Sequence, residues 1–116
     1  MSNTFENLEV WSLWRNLVNK LWKIFYDSSF KNYWFQDQIM RAAISITNNI
    51  AEWRERPSNK DFIKFLYYSK WSTGEVRSML YLALDFWFID QEMFEELKND
   101  CTEITIKLYY LIKSLI

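Results

Sequence analysis

An all-α, antiparallel up-down-up-down four-helix bundle is the fold this sequence predicts, and three observations predict it. The 116 residues include one Gly and one Pro, against about 7% and 5% in average usage, so a fold with many tight turns lacks the residues for them. Apolar side chains recur at steps of three and four in four separate segments, the period of a helix with one buried face. Half of the chain is hydrophobic and a quarter is charged, which suits a packed core and excludes disorder. The length fits one domain over residues 1–116.

The expected helices span residues 5–27, 33–55, 59–88 and 91–115. In the first, Leu8, Trp11, Trp14, Val18, Leu21 and Phe25 form one apolar line, and Val10, Leu13, Leu17 and Ile24 a second beside it. The wide stripe suits packing on two neighbours, and Asp27-Ser28-Ser29 supplies the turn. The second carries Phe35, Ile39, Ala42, Ile46, Ile50 and Trp53 and stops before Pro57, because proline disfavours helix in the residue that precedes it. Ser58 is a natural N-cap for the third, with Asp61 three residues on. The third continues through Phe62, Leu66, Ser69, Thr73, Val76, Leu80, Ala83 and Trp87, with Gly74 in its interior. Asp90 starts the fourth, where Phe94, Leu97, Cys101, Ile104, Leu108, Leu111 and Leu115 form a heptad seam. Four such helices with short connections make a bundle.

The composition also restricts the chemistry. There is no His, which removes Ser-His-Asp and Cys-His catalysis and the commonest metal ligand. The single Cys101 forms neither an internal disulfide nor a Cys-rich zinc site, and its place on the seam marks it as core. No 18-residue apolar run exists and no basic region precedes an apolar stretch at the N-terminus, so neither a membrane span nor a signal peptide is expected. The expected protein is cytoplasmic, needs no cofactor or metal, and is not an enzyme.

Polar residues on this scaffold leave alternatives open. Gln38, Arg41, Ser45, Asn48 and Glu52 share one side of the second helix, with Asn49 beside them. Ser69, Ser72, Thr73 and Glu75 put further polar groups on the third. They form either two solvent-facing stripes or a partly buried network in which Arg41 bridges to Glu75, since a buried charge needs a partner. Arg54, Arg56, Lys60 and Lys64 gather around the second connection beside Trp53, a combination that suits phosphate contacts and base stacking on RNA or DNA. Glu52, Glu55, Asp61 and a pI near 5.5 oppose a dedicated nucleic-acid binder. Residues 1–84 carry a net of +3 and residues 85–116 a net of −4, which together give the chain's −1. The acidic fourth helix is then a solvated face or the complement of a neighbouring copy's basic surface. An enzyme or metal-binding bundle using Glu52 and Glu75 is the alternative function, although a ferritin-type site needs the missing His. A peripheral membrane helix is disfavoured, because the polar face of the fourth helix is acidic.

Several motifs carry a family resemblance: Leu8-Glu9-Val10-Trp11, the run from Gln38 to Ile46, Asn49-Ile50-Ala51-Glu52, Phe62-Ile63-Lys64-Phe65-Leu66 and Ser72-Thr73-Gly74-Glu75-Val76. Together they resemble the bacterial four-helix bundle proteins of the 23S ribosomal RNA intervening-sequence family. The resemblance implies an antiparallel bundle that assembles with itself, commonly as a homopentameric ring. It also implies kinship with the accessory protein of diversity-generating retroelements, which binds nucleic acid and a reverse transcriptase. The motif positions carried over are Arg41, Ser45, Asn49, Glu52, Ser72 and Glu75. Trp34, Trp53, Trp71 and Trp87 stand where the family pattern has Gly, with Trp14 a fifth candidate. A codon read as Gly at the source, such as a reassigned UGA, gives this pattern when rendered as Trp, and so does deliberate substitution. At position 53, Trp loses the left-handed cap that Gly allows, so the second helix is expected to run on toward Pro57. Trp71 is expected to face outward or to wedge its helix off a neighbour.

Overall fold

The computed structural model describes residues 8–54 and 58–116, with backbone alone over 46–54. Four helices account for nearly all of this: α1 (Glu9–Phe25), α2 (Tyr33–Arg54), α3 (Asn59–Asp85) and α4 (Gln91–Leu115). No strand occurs among the described residues. Consecutive helices pack on one another and α4 returns to α1, giving an elongated bundle of 43 × 22 × 21 Å. Lys107 pairs with Glu9 at 3.2 Å near one end, and Lys20 with Asp100 at 2.7 Å toward the other. The start of α1 therefore meets the end of α4, and the two run in opposite directions. Tyr81 late in α3 meets Phe94 early in α4, ring centroids 4.8 Å apart, so this pair is opposed as well.

The caps explain where three helices begin. Ser58 accepts the Asp61 N–H at 3.4 Å and Asp90 accepts the Met93 N–H at 2.8 Å, each satisfying one of the donors a helix start leaves open. Asn32 does the same for α2, its Oδ1 accepting the Phe35 N–H at 3.0 Å. At α1, Leu8 precedes the first turn without a side-chain bond; the expected start at residue 5 lies outside the described residues.

The core follows the apolar lines, with two shifts. On α3 the whole line of Phe62, Leu66, Ser69, Thr73, Val76, Leu80 and Ala83 is buried. On α1 the buried set is Val10, Trp14, Leu17, Leu21 and Phe25, drawn from both predicted lines, with Trp11, Leu13, Val18 and Ile24 half-buried on its flanks. On α4 the seam holds from Phe94 to Leu108, after which Ile112 is buried and Leu111 and Leu115 sit at the margin. A straight helix drifts by about 20° per heptad against a 3.5-residue repeat, so the neighbouring position takes over. On α2, Phe35, Ile39 and Ala42 are buried, whereas Ile46, Ile50 and Trp53 lie outside the described side chains. Trp14 is wholly buried, its Nε1–H without an acceptor.

The α3–α4 connection departs from expectation. The helix ends at Asp85 and not at 88. The Phe88 N–H donates to the Ala83 carbonyl at 2.8 Å and the Trp87 N–H to that of Leu84 at 3.1 Å, the paired bonds of a Schellman cap. Trp87 sits at φ 64°, a conformation that a bulky L-residue rarely adopts. This turn sends Phe88 back onto Phe30 and Phe35, at 4.8 and 5.0 Å between centroids. With Phe25 they close that end of the bundle in an aromatic cluster whose edge-to-face contacts add about 0.5–1.5 kcal/mol per pair beyond burial.

Candidate functional site

Lys60 and Lys64, two of the four basic residues singled out in the sequence, are exposed on the first turns of α3. The Arg54 side chain and all of Arg56 lie outside the described residues. Continuing up the helix at steps of three and four, Tyr67, Tyr68 and Trp71 join the two lysines around an open groove of about 500 Å³. The Lys64 ammonium lies 6.0 Å from the centre of the Tyr68 ring, within reach of a cation–π attraction. Tyr67 also borders a second groove of about 250 Å³ between α3 and α4, with Lys70, Tyr109, Ile112, Lys113 and Ile116. There the Lys113 ammonium sits 5.5 Å from the Tyr109 ring. The two grooves form one surface with four lysines and a series of exposed rings. It can bind an anionic partner that also presents flat apolar groups.

Lys70, Lys113, Tyr67 and Tyr109 are additions to the sequence reading. The α3 members were legible from their spacing after Lys60 and Lys64. The α4 members needed the antiparallel register of α3 and α4, which no local pattern carries.

The polar stripes are not joined into a buried network among the described residues. Arg41, Ser45 and Glu75 are exposed and Ser72 is half-buried. No ion pair links Arg41 to Glu75, so the expected bridge is absent: both charges reach water and neither needs the other. Asn49 and Glu52 lie outside the described side chains. Ser69 and Thr73 are buried, and the Thr73 hydroxyl donates to the Ser69 carbonyl at 2.7 Å. This is the back-bonding by which a helical Thr satisfies itself, and it makes no bridge between helices. The Ser69 hydroxyl has no partner.

On the opposite side, α1 neutralises part of the acidic α4. The Lys20 ammonium contacts Asp100 at 2.7 Å and Glu96 at 3.2 Å. The hydrogen bond to Asp100 is the largest influence raising the Lys20 pKa above its ordinary value. Glu92, Glu95 and Glu103 remain exposed. Cys101 is buried among them on the inner face, and loss of solvent pushes its thiol up to about 12. Among the described residues no group of three or more His, Cys, Asp or Glu could hold a metal ion, and no helix is long and apolar enough to cross a membrane.

Comparison with known proteins agrees with this architecture. A solved structure of a protein of unknown function, from the S23 ribosomal protein family of Bacteroides thetaiotaomicron, superposes with a TM-score of 0.74 at 28% identity. The match covers 90% of this chain and 91% of that one. No curated protein matches. The family model of the 23S rRNA-intervening sequence protein matches residues 6–110. A bundle of this order, matched over nearly its whole length, belongs to the 23S rRNA-intervening sequence protein family.

Proposed function

We propose that the protein is a non-enzymatic, cytoplasmic scaffold or adaptor that assembles with copies of itself and contacts RNA or DNA. The observation that carries this reading is the α3 surface, where Lys60 and Lys64 stand beside Tyr67, Tyr68 and Trp71. Lysines supply salt-sensitive phosphate contacts, and aromatic faces supply sequence-tolerant stacking of about 1–3 kcal/mol per base. The grooves are open, and no charged side chain is enclosed in them to orient a small substrate, which favours a macromolecular partner over catalysis.

Self-assembly is supported by apolar exposure and by charge asymmetry. Rings of Trp22, Tyr33, Trp34, Trp71, Tyr81 and Tyr110 are each between 46% and 67% exposed, whereas a monomer ordinarily keeps apolar surface in small patches. The acidic residues of α4 are available to complement basic residues of a neighbouring copy. The family resemblance favours a pentamer as the closed form.

Titrating a single-stranded RNA oligonucleotide over a range of salt tests the nucleic-acid part. Lys60→Ala with Lys64→Ala should weaken binding and reduce the slope of log affinity against log salt by about 2, one per lost phosphate contact. Unchanged affinity and slope would reject these lysines as the contact.

A further inference from the structure

We propose that positions 34, 71 and 87 hold glycine in the protein as its own cell makes it, decoded from UGA codons, and that tryptophan there is a misreading of the gene. UGA, a stop in the standard code, is read as tryptophan in one variant code and as glycine in another.

Position 87 carries the argument. Its φ of 64° lies in the left-handed region, where a Cβ is crowded by the following carbonyl and glycine alone is at ease. The bonds from Phe88 to Ala83 and from Trp87 to Leu84 make it the C′ residue of a Schellman cap, the place where helices most often use glycine. The Trp87 side chain is 92% exposed, so it makes no burial that would offset the strained backbone. The backbone, held by the docking of Phe88 in the aromatic cluster, thus specifies glycine on geometry alone.

The tryptophans divide on the same criterion. Trp11 is half-buried with the Arg15 guanidinium 5.7 Å from its ring centre. Trp22 stacks on Tyr26, centroids 4.6 Å apart with the rings 7° from parallel. Trp34 and Trp71 are instead 67% and 64% exposed, and Trp71 touches only Tyr68 of its own helix. The composition fits the same cause. Gly74 is the single glycine in 116 residues, where average usage gives about eight. Restoring glycine at these positions moves both counts toward the ordinary range. Position 53, where the family resemblance expects Gly, falls under the same account.

The coding DNA decides the matter, read together with peptide masses from the protein isolated from its own cells. The proposal expects UGA at 34, 71 and 87, UGG at Trp11 and Trp22, and glycine masses in the peptides that span the UGA codons. UGG at position 87 overturns it, and so does a tryptophan mass there. An independent readout uses the chain as it stands. Trp87→Gly should raise the folding equilibrium constant about 5- to 30-fold by removing the left-handed penalty. Equal or lower stability of Trp87→Gly would contradict the claim that this backbone is built for glycine.

Discussion

Cys101 has no exposed surface and its thiol is pushed up to about 12 by burial, so the thiolate that reacts with alkylating and disulfide reagents is scarce at any ordinary pH. A thiol reagent at pH 8 should leave the native protein unlabelled and modify it at the rate of unfolding. Rapid labelling of the folded chain would show that the α4 seam opens locally. Lys20 is the other residue whose protonation bears on stability. Its pKa is raised by Asp100 and Glu96, so its contribution is fully present below the unfolded value of 10.5 and is lost as pH rises through the higher folded value. The ammonium is 38% exposed, which limits the effect to about 0–1 kcal/mol. Lys20→Met should therefore cost no more than that near neutral pH, and the loss should shrink with added salt in urea melts. Both roles were partly legible beforehand. Cys101 fell on the heptad seam, but the Lys20 pair depends on α1 and α4 lying side by side in opposite directions.

At the scale of the element, the signals written in short polar side chains were the most legible. Ser58 and Asp90 cap α3 and α4 as their positions suggest. Asp90→Ala removes the acceptor for the Met93 N–H and should destabilise the bundle by about 1 kcal/mol, read as a lower urea midpoint with unchanged slope. Asn32 carried the same kind of signal for α2 and was overlooked among the neighbouring turn residues. The end of α3 was misplaced because its stop signal is glycine at C′, and Trp87 reads locally as one more apolar helical residue. Gly74 shows the opposite case. A Cβ built there meets nothing within 4 Å, so the chain's own packing makes no use of the missing side chain. Gly74→Ala should stabilise the monomeric chain by about 0.5–1 kcal/mol, measured by thermal or denaturant unfolding. A loss of stability would mean that something packs against this face.

For the whole molecule, the bundle could be read from periodicity because helix packing is dictated by where apolar side chains fall along each helix. Its surface could not be read in the same way. The aromatic and lysine side chains of α3 and α4 become one face only once the two helices are aligned, and a sequence lists them some 40 positions apart. The buried Arg41–Glu75 bridge failed for a related reason: polar periodicity places residues on a face without saying whether that face meets a helix or water. What the assembled molecule leaves uncovered is a set of rings and opposed charges that a single copy does not use. Absolute mass by light scattering, at low and high salt, tests that central claim most directly. It should be made on the chain as it stands and on a form with glycine at 34, 53, 71 and 87. The account predicts a mass several times the single-chain 14.3 kDa in the glycine form, with five copies the expected number. A mass of one chain for both forms at every salt concentration would contradict it.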